Sequence, residues 1–96
     1  MKIKFKSIKI GNDFLIIITG GKEHLGAVTF DFKTITKKSH KDDVITKMVF
    51  KMIHKKLNKN VMVVCGIHKD NATKNDINKI IKKVKRRTKK WINKQN

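Results

Sequence analysis

Proline is absent from this chain, cysteine occurs once, glycine five times in 96 residues, and seven acidic residues stand against 25 lysines and arginines. With no proline, repeat or long low-complexity stretch to mark a linker, the sequence reads as one domain, residues 1–96. That length is close to the limit at which a single core is sufficient and association helps, so a homodimer is expected. The single cysteine, Cys65, rules out an internal disulfide framework; set in the apolar run 61–65, it reads as an inert buried thiol suited to a reducing cytoplasm. Long hydrophobic runs are also missing. Residues 14–18 are too few to span a bilayer, and the N-terminus alternates lysine with apolar residues where a signal sequence would carry an apolar core. These patterns predict a soluble cytoplasmic protein without membrane contact.

The formal charge of +18 points first towards polyanions. Arginine, the side chain best suited to bidentate phosphate or guanine contacts, is nevertheless confined to Arg86 and Arg87. The excess is lysine, accompanied by asparagine and isoleucine, three residues with A- and T-rich codons. Base composition therefore explains much of the surface. A lysine-rich, nonspecific nucleic-acid-binding domain remains the alternative, with Lys82, Lys83, Lys85, Arg86, Arg87, Lys89 and Lys90 on one helix face. No aromatic interleaves with that face, and no helix-turn-helix, zinc-finger or RNP motif accompanies it.

Period-two alternation over residues 3–6 resumes out of phase at residues 8–10, which predicts a bulged or edge strand. Residues 14–19 form a continuous β-branched run, the pattern of a strand buried on both faces. Residues 27–32 alternate again, with Val28, Phe30 and Phe32 on one side and Ala27, Thr29 and Asp31 on the other. Residues 33–38 favour extended structure without a clear turn signal. Ser39-x-x-Asp42 resembles a capping box opening a helix to about residue 58, whose apolar arc is broad enough to contact a second element or subunit. A buried strand follows at 61–65. Thr73-x-x-Asp76 then caps a last helix with Ile77, Ile80, Ile81, Val84, Thr88, Trp91 and Ile92 on one narrow face. The predicted class is α+β: a compact domain with a mixed or mainly antiparallel sheet of about four to five strands and two helices.

Three polar segments lie where strands meet loops or helices: Gly20-Gly21-x-x-His24-x-Gly26-Ala27-Val28, His40-Lys41-Asp42-Asp43, and Gly66-Ile67-His68-x-Asp70-Asn71-Ala72-Thr73. Their order resembles the prenylated-flavin chaperone domain of the D subunits of gallate-type decarboxylases, over most of the chain. The resemblance implies a non-catalytic protein that binds prenylated flavin mononucleotide and supplies it to a flavin-dependent decarboxylase. Under that reading Gly20, Gly21, His24, His40, Gly66, His68 and Asp70 bind the cofactor. Helix starts after Ser39 and Thr73 offer backbone N–H groups to its phosphate.

His24, His40 and His68 are also candidate imidazole ligands for a divalent transition metal, with Asp42, Asp43 and Asp70 orienting them or capping backbone amides. Convergence depends on residues 33–38. A returning strand brings all three histidines to one sheet end, whereas a plain crossover leaves His24 at the other. His54 falls opposite Ile45 on the first helix and reads as a solvated residue outside the site. Phe30, Phe32, Phe50 and Met52 are possible walls for the flavin ring, with core packing the simpler role. A hydrolase using Cys65 and a histidine is a third class, although the sequence shows nothing that activates the thiol. Walker and Gly-x-Gly-x-x-Gly patterns are missing, which argues against an ATPase or a dinucleotide fold.

Overall fold

The structure is a computed structural model that describes residues 1–37 and 41–95. Seven elements follow one another: β1 (Ile3–Ile10), β2 (Asp13–Gly21), β3 (Ala27–Phe30), β4 (Lys33–Thr36), α1 (Asp42–Leu57), β5 (Val61–His68) and α2 (Lys74–Lys94). The five strands form one mixed sheet in the order β1-β2-β5-β3-β4, with β5 parallel to β2 and antiparallel to β3. The fold is thus α+β, as the patterning implies.

Both helices cover one face. Ile16 and Ile18 of β2, Val61, Val63 and Cys65 of β5, and Ile45, Val49 and Ile53 of α1 close the core, with Val84 and Ile92 of α2 beside them. The breadth of the α1 apolar arc follows from this arrangement, because the helix packs against the sheet and against α2 at once. It therefore gives no separate reason for a partner subunit. Trp91 of α2 lies edge-on to Phe14 and donates its indole N–H to Ser7 Oγ at 3.0 Å, which fixes the far end of the helix to β1 and β2.

Local expectations fail at two places. β1 is the edge strand that its patterning allows, with no bulge: it pairs with β2 without interruption from Ile3↔Gly20 to Ile10↔Asp13. Its change of phase has another origin, since Ile3 and Phe5 face the helices while Ile8 and Ile10 lie on the opposite face. β3 ends at Phe30, and Asp31 and Phe32 both take left-handed conformations, φ 52° and 63°, in a tight turn into β4. Such turns favour Asn-Gly, so Asp-Phe gives little warning of one. Phe32 folds over the sheet edge to meet Phe50 and His54 edge-on, at 4.9 and 4.8 Å between ring centroids. His54 also stacks on Phe50 and is half-buried, so it is a packing residue and not a freely solvated one. The expected Ser39 cap lies outside the described residues; α1 has Lys41 at its N-cap position with no side-chain cap bond.

At α2 the sequence signal holds. Thr73 Oγ1 accepts from the Asp76 N–H at 3.1 Å, and Asp76 accepts from the Thr73 N–H at 3.0 Å, a complete capping box.

Candidate functional site

The short strand β4 decides the geometry. Because it returns antiparallel to β3, the chain comes back to the sheet end from which β3 set out, and the Lys37 N–H donates to the Gly26 carbonyl there at 2.7 Å. β2 and β5 end at the same place, Gly21 beside His68, and both helices start there. His24 and His68 consequently converge, with ring centroids 6.2 Å apart. His40 lies outside the described residues.

Glycine makes this convergence possible by letting backbones touch. A methyl group on Gly66 would overlap the His24 carbonyl, one on Gly26 would overlap the Asp42 carboxylate, and one on Gly21 (φ 63°) would overlap the His68 carbonyl. Gly20 packs beneath Ile3 and the Lys2 carbonyl. The Lys22 N–H, which follows Gly21, donates to the His68 carbonyl at 3.2 Å. The glycine positions thus hold the loop carrying His24 against the end of β5.

Asp42 is the electrostatic centre of the arrangement. Its side chain is 4% exposed; Oδ1 accepts the Ile67 N–H at 3.0 Å and faces the Cys65 thiol at 3.5 Å, while Oδ2 lies 3.3 Å from His24 Nε2. The other ring nitrogen of His24 meets the Lys22 carbonyl at 3.0 Å. One carboxylate therefore joins the start of α1, the end of β5 and the His24 loop. Asp70 plays the corresponding part for His68, at 2.9 Å from Nε2, and its second oxygen pairs with Lys22 at 3.2 Å. These contacts, His68 first and Lys22 next, hold the Asp70 carboxyl below the usual carboxylate range. Asp43 only pairs with Lys47 one turn along α1, at 3.6 Å.

Burial, and then the charge of Asp42, push the Cys65 thiol well above its ordinary pKa. Among the described residues the thiol faces a carboxylate and no histidine base, which is the opposite of the setting a nucleophile needs. Metal chemistry fares no better: among the described residues no three His, Cys, Asp or Glu side chains are grouped as metal ligands require. Both visible imidazoles already turn towards carboxylates.

His68 lines two of the hollows that open at this end. One, of about 340 Å³, lies between the first turns of α1 and α2; Ile45, Ile67, Ile77, Ile80 and Ile81 give it apolar walls, with Lys41, Asp42, His68 and Lys69 at polar positions. That volume falls within the range of small-ligand sites. The other is an open groove of about 520 Å³ beside β1, lined by Gly20, Gly21, His68 and Asp70 together with Lys4 and Lys22. His24 lines neither and lies behind the first, against Asp42. None of Phe30, Phe32, Phe50 and Met52 lines either hollow.

Nothing in the patterning marks Lys41, Lys69 or the isoleucine walls as site residues, because one helical stripe of α2 serves both core and cavity. The α2 basic face is partly engaged within the chain, since Lys83 donates to the Met1 carbonyl at 2.8 Å and Arg87 to the Ile3 carbonyl at 3.3 Å. Among the described residues no helix is long and apolar enough to cross a membrane.

Over residues 1–96 the chain matches the model of the prenylated flavin chaperone LpdD-like domain, and it belongs to that family. No curated protein matches it.

Proposed function

We propose that this protein binds prenylated flavin mononucleotide at the convergent sheet end and passes it to a flavin-dependent decarboxylase, without catalysing decarboxylation itself. The observation that carries the reading is the cavity between α1 and α2, an apolar slot with a cationic rim at the end where the family-like segments meet. Its isoleucine walls suit the apolar faces of a flavin ring. Lys41, Lys69 and His68 surround the opening and favour an anionic tail. Phosphate contact through the first turn of α2 is limited, because the capping box already takes the Thr73 and Asp76 N–H groups. The lysines and His68 are therefore the proposed phosphate partners, with the site binding its ligand independently of metal. When bound, the flavin supplies the electrophilic ring chemistry that the client uses; here it is cargo.

His24 and Asp42 act as positioning residues in this scheme. They hold the end of β5 in place, and with it His68, and make no contact with the ligand. Gly20, Gly21, Gly66 and Asp70 shape the same sheet end.

Titration with enzymatically prepared prenylated flavin, followed by calorimetry and flavin absorbance, tests the proposal. Ile80→Asp inside the cavity and Lys69→Glu at its rim are each expected to weaken binding at least tenfold, while a chelator leaves affinity unchanged. Circular dichroism checks that the variants fold. Wild-type affinity in both folded variants would rule the cavity out, and loss of binding on chelation would restore the metal reading.

A further inference from the structure

The sheet face turned away from the helices is apolar at its centre. Register places two rows across all five strands: Lys6-Ile17-Val64-Val28-Ile35 and Ile8-Leu15-Met62-Phe30-Lys33. Neither helix covers them, and Ile35 and Phe30 are 74% and 48% exposed. An antiparallel sheet that meets water on one face normally carries polar residues there. Here the only charges in the two rows are Lys6 and Lys33, at diagonally opposite corners.

We infer that a second copy of this chain covers the face, packing sheet on sheet about a two-fold axis that lies between the two sheets. The corner lysines argue for self-association. An axis along the strands sets Lys6 against Ile35 of the other copy and Lys33 against Ile8. An axis across the strands sets Lys6 against Ile8 and Lys33 against Ile35. Either way no lysine meets a lysine, and each long stem can lie on an isoleucine while its ammonium group reaches water. Five strands about 4.8 Å apart and about 20 Å long give a face of roughly 500 Å². Two copies then bury on the order of 1,000 Å², the lower bound for a specific interface. A hollow of about 440 Å³ bounded by Val28, Ile35, Val64 and Leu25 supplies relief into which side chains of the other copy can fit. The inference is independent of the flavin reading.

Salt separates this occupant from an acidic partner protein. Two copies of charge +18 repel at long range, so added salt should tighten the dimer. Sedimentation equilibrium on the full chain from 5 to 300 μM, in 50 mM and 500 mM salt, is the test. A dimer is expected, about tenfold tighter at the higher salt. Phe30→Lys and Ile35→Lys change exposed positions and should each weaken it at least tenfold with an unaltered circular dichroism spectrum, whereas Lys51→Ala on α1 should leave it unchanged. A monomer throughout, a dimer loosened by salt, or undiminished association of both folded lysine variants would overturn the inference.

Discussion

Replacing Asp42 by alanine removes, among the described residues, the contacts of one buried carboxylate with the Ile67 N–H at 3.0 Å, the Cys65 thiol at 3.5 Å and the His24 imidazole at 3.3 Å. A hydrogen bond to a charged acceptor contributes about 1.5–3 kcal/mol, and stranding the Ile67 donor adds a desolvation cost of about 1–3 kcal/mol where water cannot reach it. His24 keeps some solvent contact, so its share is at the low end, about 1 kcal/mol. A loss of about 4 kcal/mol follows. For a domain of this size, unfolding entropy of about 0.2 kcal/mol per kelvin turns that into a fall in Tm of roughly 20 °C. Asp42→Asn, which retains an oxygen acceptor for Ile67, should lose about half as much. Asp43→Ala removes a half-buried i,i+4 pair within α1 and should stay within about 0.5 kcal/mol of the parent. Urea and thermal unfolding followed by circular dichroism give these values. If Asp42→Ala unfolds with the same midpoint as Asp43→Ala, the carboxylate does not join the three elements as argued.

The α2 capping box should weaken in acid. The Thr73 N–H, followed by Lys69, lowers the Asp76 carboxyl to about 2 from its usual 3.8. Because the folded value lies below the unfolded one, the contribution is fully present above about pH 4 and disappears as pH falls towards 2. The Thr73 amide resonance followed through an acid titration should move with that midpoint; a midpoint near 4 would contradict the capping geometry. Cys65 should resist Ellman's reagent at pH 8 in the native protein and react at once in denaturant, because the thiol is 0% exposed and held protonated. Rapid labelling of the folded protein would show that the end of β5 opens freely.

Much of the architecture could be read from alternation and capping. The run at 14–19 is a central strand, but it is buried on one face only: Ile16 and Ile18 meet the helices while Leu15 and Ile17 lie on the face that neither helix covers. Thr73-x-x-Asp76 marks α2 because both polar side chains reach backbone donors of one turn. Ser39-x-x-Asp42 shows the limit of such patterns. The same spacing that suggests a cap for Asp42 belongs to a carboxylate buried across the gap to β5, and no local rule conveys a contact over that sequence distance. The offset in β1 was legible as an offset, but its cause lay in a second apolar sheet face. His24 and His68 meet because residues 33–36 return as a strand, one of the two courses that the sequence leaves open. No pattern in the sequence marks the cavity, since whether Ile77, Ile80 and Ile81 meet side chains or empty space depends on the tertiary placement of α2.

The central position of β5 has a consequence for how the molecule assembles. β1 with β2, and β3 with β4, are hairpins closed by short turns, and each can form early from local contacts. β5 comes after α1 in the chain yet lies between the two hairpins, so the sheet is continuous only once this strand has inserted along both. Until then each hairpin offers a bare inner edge, the state most exposed to pairing with other chains. Gly21 and Ala27 lie on the two sides of that gap, the loop carrying His24 crosses it, and His68 lies at the tip of the strand that fills it. The convergent sheet end is therefore the product of the last topological step, and a nascent chain that has not yet delivered residue 68 has two ordered pieces without the meeting of His24 and His68.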